Sequence, residues 1–131
     1  SAGLSAEYSA ADILLGDSMG EMMRYFSCAD IVFMGGTLLP TGGHNILEPA
    51  ALGLPIVYGS YMFNFNAIND LFLQHQAALQ LADQESLLQA LDGLISDKDK
   101  AGKMAHNARQ LITQNSGVVN KMMALLKPYL V

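Results

Sequence analysis

Two runs in this chain are apolar without interruption, and each stops at glycine: Ile31-Val32-Phe33-Met34 before Gly35-Gly36, and Ile56-Val57-Tyr58, led by Pro55, before Gly59. A β-branched and aromatic run with no polar alternation has no side to offer water, so it suits a parallel strand covered on both faces. Pro55 is tolerable at the first strand position. Two shorter runs, Ile13-Leu14-Leu15 before Gly16-Asp17-Ser18 and Ala78 to Leu81, read as further strands. Between and after them the spacing turns helical. The pattern predicts helices over Glu21 to Ala29, with Met22, Met23, Tyr25 and Phe26 as apolar side, about Asn45 to Leu52 closed by Gly53, and Phe65 to Gln74. It predicts another over Asp83 to Ile95, capped by Asp83, with Leu87, Leu88, Leu91, Leu94 and Ile95 as its buried stripe. Two more follow, about Lys98 to Gln114 and Val118 to Lys127, parted at Asn115-Ser116-Gly117 and ended by Pro128. Strand and helix in alternation give an α/β class: a parallel sheet, helices on both faces, right-handed crossovers. About four strands are few for a complete doubly wound sheet, so the expectation is one domain over 1–131 that starts partway through its sheet.

Composition supports a packed fold and removes several functions. With 51% hydrophobic residues in 131, the chain has the apolar area to fold and is not a disordered segment. Seven Lys and Arg against twelve Asp and Glu, a net charge of −5, leave no basic patch for nucleic acid or anionic lipid beyond the thin run Lys98, Lys100, Lys103 and Arg109. Cys28 is the single cysteine, so no internal disulfide forms and a small core side chain is the reading. No apolar stretch approaches the roughly 20 residues that cross a bilayer, and Ser1-Ala2-Gly3-Leu4-Ser5 is no signal peptide; the chain is expected to be soluble.

In an open parallel sheet, ligands bind beyond the carboxyl ends of the strands. Three segments fall there: Gly16 to Glu21, Gly35 to Glu48, and Gly59 to Asn66. In the middle one, Gly35-Gly36-Thr37 leaves a strand and Gly42-Gly43-His44-Asn45 enters a helix, so main-chain N–H groups can cradle a phosphate or carboxylate, or the loop is a plain turn. Asn45 and Glu48, three apart, either bind a ribose, the carboxylate taking both vicinal hydroxyls, or form an ordinary capping box. His44 and Glu48 have metal-ligand spacing but no third ligand nearby, and no metal is expected. Ser18 or Asp17 caps the next helix; alternatively Met19 offers a surface to a base and Glu21 an acceptor. The loop from Ser60 to Asn66 exposes aromatics suited to a partner domain or a sugar. Met22/Met23 and Met122/Met123 read as core filling, His75 and His106 as surface or helix packing. There is no Walker loop, hydrolase triad order or zinc motif.

Five ordered blocks carry a resemblance: Gly16-Asp17-Ser18-Met19-Gly20-Glu21-Met22, Phe33-Met34-Gly35-Gly36-Thr37, Gly42 through Ala51, Gly53-Leu54-Pro55-Ile56, and Phe63-Asn64-Phe65. Together with the terminal Leu-Lys-Pro-Tyr-Leu, they resemble the carboxyl-terminal part of 3-deoxy-D-manno-octulosonic acid (Kdo) transferases from about Asp12 onward. The resemblance implies the Rossmann-like carboxyl-terminal half of a two-domain GT-B glycosyltransferase, acting at the cytoplasmic face of the inner membrane in lipopolysaccharide biosynthesis. It implies transfer of Kdo from CMP-Kdo to a lipid A precursor with inversion, without metal or cofactor. The catalytic carboxylate, the acceptor and the membrane surface then belong to an amino-terminal domain, and no catalytic residue to this chain. Carried over, Asn45 and Glu48 are the donor-binding pair, with Glu48 at the ribose. Gly35, Gly36 and Thr37 are the turn at the donor phosphate or sugar carboxylate, continued by Gly43; Ser18, Met19, Gly20 and Glu21 are the nucleotide-side loop. Thr37 replaces the usual Ser and keeps the hydroxyl, while the family's basic donor-binding residues lie outside this chain. The isolated chain is therefore expected to be inactive and to bind CMP weakly or not at all. Two other readings stay open: a non-enzymatic α/β module binding an anion or a partner, and a GT-B enzyme using another nucleotide sugar.

Overall fold

The structure, a computed structural model, describes residues 11–18 and 20–126. The elements run α1 (Met22–Ser27), β1 (Val32–Met34), α2 (Leu47–Ala51), β2 (Ile56–Tyr58), a 3-10 turn (Phe63–Phe65), α3 (Asn66–Gln74), β3 (Leu79–Gln80), α4 (Ser86–Ser96), α5 (Lys98–Gln114) and α6 (Ser116–Leu126). The strands form one parallel sheet in the order β1-β2-β3, with Val32 opposite Ile56, Met34 opposite Tyr58 and Val57 opposite Leu79. Strand pleating sends alternate residues to opposite faces. Ile56 and Tyr58 join Ile46, Leu47, Ala50, Ile68 and Phe72 from α2, α3 and the loop before α2, while Val57 joins Leu94 of α4 and Met104 of α5. Helices thus cover both faces, as the apolar runs require. Two successive crossovers in the same direction along the sheet keep one hand only if both helices lie on one face, and α2 and α3 do. The long helix α5 reaches both clusters, with Met104 in one and Ala108 and Leu111 in the other.

Four expectations are corrected. Ile13-Leu14-Leu15 is not a strand: it is exposed, Ile13 by 89% and Leu15 by 86%, and among the described residues no strand pairs with it. A strand exists only through its neighbour, and an apolar run read alone does not carry the neighbour's identity. The sheet accordingly has three strands among the described residues rather than four. On α1, Met22 and Met23 point outward and Phe26 is the buried residue, packed with Val32 and Leu54, so the methionine pair does not fill the core. On α4, Leu88 and Ile95 are exposed by 71% and 63%. Leu87, Leu91 and Leu94 form the packed stripe, each excluded residue lying about 100° further round the helix.

Helix α4 starts at Ser86 with Glu85 as N-cap rather than at Asp83, which stands just before it and accepts the Ser86 N–H at 2.9 Å and its hydroxyl at 2.6 Å, bonds that hold its carboxyl below the usual range. Cys28 is half-buried, and His75 and His106 are exposed. The opening residues and the terminal Leu-Lys-Pro-Tyr-Leu with its Pro128 stop lie partly or wholly outside the described residues, as does any packing by the Met122 and Met123 side chains. Among the described residues no helix is long and apolar enough to cross a membrane.

A buried polar pair ties the sheet to α3. Tyr58 donates its hydroxyl to Asn69 Oδ1 at 2.7 Å. Burial pushes the Tyr58 phenol well above its ordinary value near 10, and Asp70 adds to the rise. The pair's contribution is complete below that ordinary value and is lost as pH climbs above it. Tyr58→Phe strands the Asn69 carbonyl and should cost about 1–3 kcal/mol. A urea titration checks it; an unchanged midpoint refutes the role.

Candidate functional site

Since β1 and β2 are parallel, both release their chains at the same edge, at Gly35 and Gly59. Thr37 holds the two exits together. Its side chain is fully buried, its hydroxyl donating to Met34 O at 2.6 Å and accepting the Gly59 N–H at 2.8 Å, while its carbonyl accepts the Tyr61 N–H at 3.0 Å. The hydroxyl expected at a ligand is therefore committed inside the fold, and the turn presents the exposed main chain of Gly35 and Gly36 instead. Gly59 meets Thr37 so closely that a Cβ would stand 2.3 Å from its carbonyl oxygen.

The loop then crosses to the second exit. Gly42 O accepts the Asn64 N–H at 3.1 Å, and Gly43, at φ +89°, lies where a Cβ would fall 2.5 Å from Met62 Sδ. Both positions need glycine, for conformation and for space. The main-chain N–H groups of Gly36, Gly43 and His44 meet no acceptor among the described residues.

Asn45 follows. Its Oδ1 accepts the Leu47 N–H at 3.0 Å, an Asx turn that leads into α2. Only the oxygen can take that bond, so the amide orientation is fixed and Nδ2 faces the other way, buried and without a partner. Glu48 is exposed in the first turn of α2 and makes no hydrogen bond or ion pair among the described residues. The capping box is not formed: Ile46 is the N-cap and the Glu48 carboxylate returns no bond to it. What remains is an unpaired buried donor close in sequence to a free exposed carboxylate.

In the segment before α1, neither Ser18 nor Asp17 caps the helix, whose N-cap is Glu21 without a side-chain bond. Ser18 instead donates to Glu21 Oε2 at 2.7 Å and meets the Tyr25 hydroxyl at 2.6 Å; Glu21 also pairs with Arg24 at 3.5 Å. Gly20, at φ +78°, makes the turn, and Met19 lies outside the described residues.

No protein-family model matches the chain. Curated relatives do: a 3-deoxy-D-manno-octulosonic acid transferase of Haemophilus influenzae is 35% identical over 119 residues, 90% of this chain and 28% of the relative. Transferases of the same description from Rickettsia typhi and Bordetella pertussis are 35% and 30% identical over 91% of this chain, which covers 26% and 28% of them. Among solved structures, the C-terminal CMP-Kdo binding domain of WaaA from Acinetobacter baumannii matches with a TM-score of 0.72 at 33% identity, over 75% of this chain and 51% of that one. Over nine-tenths of its own length the chain is similar to Kdo transferases. It spans about a quarter of the length of these curated relatives and about half of the solved domain.

The fold brings the 35–48 and 59–66 loops into one body through Thr37, Gly42 and Gly43, whereas the 16–21 loop is organised around Ser18, Glu21 and Tyr25. The loop aromatics divide: Tyr61 and Phe63 are exposed and Phe65 is buried. Among the described residues no group of three or more His, Cys, Asp or Glu could hold a metal. Sequence reasoning missed the stapling role of Thr37 and the Tyr58–Asn69 pair. Neither had a local signal, because the partners stand 22 and 11 residues apart.

Proposed function

We propose that this chain is the donor-holding part of a Kdo transferase and grips CMP-Kdo at the exits of β1 and β2. Asn45 carries the reading: an amide locked by its own turn, with its NH2 group buried and unanswered, is a donor held ready for an acceptor atom. Glu48 takes the vicinal hydroxyls of the ribose. The N–H groups of Gly35, Gly36 and Gly43 face the donor phosphate or sugar carboxylate. Thr37 acts by fixing the turn, with its main chain toward the ligand. Ser18, Met19, Gly20 and Glu21 form the nucleotide side, Ser18 orienting the Glu21 carboxylate.

The wider reading is a two-domain GT-B enzyme at the cytoplasmic face of the inner membrane that transfers Kdo to a lipid A precursor with inversion. The acceptor, membrane contact and catalytic carboxylate belong to its amino-terminal domain. In such a transfer the bond from the sugar's anomeric carbon to the phosphate oxygen breaks, and CMP departs with the electron pair. Fixed N–H groups at the phosphate stabilise that growing charge, each by about 3 kcal/mol of barrier in comparable sites. This chain alone should show no turnover.

Glu48→Ala tests the assignment in the full-length protein. Titration calorimetry with CMP should show affinity falling about tenfold for a lost hydrogen bond to a charged group. Indifference to the substitution would remove Glu48 from the site and favour a module that binds no nucleotide.

A further inference from the structure

Between Arg24 and Lys98 the sequence contains no lysine or arginine. That span supplies both strand-exit loops, and the side chains in it able to carry a positive charge are His44 and His75. His75 caps the far end of α3, just before β3, and so lies toward the opposite edge of the sheet. His44 stands in the 35–48 loop itself, exposed, between Gly43 and Asn45. Its ring lies against the turn leaving β1: a Cβ on Gly36 would come within 2.8 Å of Nε2 and 3.0 Å of Cδ2. Gly36, at φ +71°, lets the ring reach this close to main chain. Neither ring nitrogen has a hydrogen-bond partner among the described residues, so the imidazole is not spent on holding the loop.

We propose that His44, as imidazolium, adds a positive charge to this anion cradle, pairing with a negatively charged oxygen of the donor above the Gly35-Gly36 turn. This rests on the donor-binding reading and adds its electrostatic component: a site of fixed N–H dipoles joined by one side chain in these loops that can turn positive. Histidine ordinarily changes charge between about pH 5 and 8, so affinity for an anion rises as pH falls through that range. The charged side chain nearest to it along the chain is Glu48, exposed in the first turn of α2.

Donor phosphate and sugar carboxylate share the required chemistry, so the test uses CMP, free Kdo and uncharged cytidine. Binding to full-length protein is measured from pH 5.5 to 8 for wild type, His44→Gln, His44→Lys and Glu48→Ala. A phosphate monoester itself titrates near pH 6, but that cancels in the ratio of wild-type to His44→Gln affinity. For CMP or for Kdo this ratio should be near one at pH 8 and rise to roughly fivefold at pH 5.5, the upper range for a solvent-exposed ion pair. The ligand that shows the rise identifies the oxygen. The cytidine ratio should stay flat, and His44→Lys should bind that ligand more tightly than wild type at pH 8. A flat ratio for both CMP and Kdo overturns the proposal. If Glu48→Ala still weakens CMP binding in that case, the donor reading stands without His44. If wild type binds neither ligand, both fall.

Discussion

Gly59→Ala destabilises the domain by about 3 kcal/mol, lowering its melting temperature by about 10 °C. The added methyl would stand 2.3 Å from the Thr37 carbonyl oxygen and 2.6 Å from its carbon, and both atoms are main chain. They cannot retreat, because Thr37 is fully buried and tied at Met34, Gly59 and Tyr61. The methyl therefore parts the two strand exits or breaks the Gly59 N–H bond to the Thr37 hydroxyl. Gly93→Ala and Gly102→Ala are controls of opposite sign. Both lie inside helices with open space around the would-be Cβ, and alanine there stabilises by about 0.4–1 kcal/mol. Thermal melts of the three variants decide it. If Gly59→Ala melts with wild type, the staple does not hold the exits together.

In the full-length protein, Asn45→Ala should leave the ligand-free melting temperature unchanged or slightly raised while removing most of the stabilisation by CMP. In the free protein two effects oppose each other. Losing the Asn45 bond to the Leu47 N–H costs about 1 kcal/mol, and removing a buried unpaired NH2 group returns about 1–3 kcal/mol. In the complex the amide's donor is occupied, so its loss weakens binding with nothing to offset it. At a CMP concentration 100 times the dissociation constant, wild type gains about 2.7 kcal/mol, and the variant should lose most of that gain. Asn45→Asp keeps the acceptor for Leu47 but sets a carboxylate where the donor stood. It should therefore lose CMP binding at least as fully. A variant that retains the full CMP-induced shift would show that Nδ2 does not meet the ligand.

Much of the architecture was legible because it rests on local chemistry. Uninterrupted apolar runs ending in glycine become β1 and β2, and α5 begins and ends where its spacing and Asn115 predict, over Lys98–Gln114. The candidate site was legible as a region: the glycine turn leaves β1, and Asn45 and Glu48 stand at the entry to α2. Their individual states were not. A capping box and a ribose-binding pair use the same residues at the same spacing. The difference lies in a helix that starts at Leu47, leaving Asn45 in an Asx turn and Glu48 unbonded. For Thr37, sequence offered a hydroxyl near a ligand, and packing turned it inward.

The amino-acid sequence by itself determined the α/β class, the parallel pairing of strands too apolar to face water, and the loops where glycine frees main-chain N–H groups. These follow from side-chain chemistry over a few residues. Tertiary structure alone decided which apolar residues are buried and which polar atoms are satisfied. Ile13-Leu14-Leu15 lies exposed and unpaired while Thr37 is enclosed, and Asn45 keeps a buried donor free. The physical reason is that burial and hydrogen bonding belong to pairs of groups, and the partner is often distant in the chain: Gly59 for Thr37, Asn69 for Tyr58.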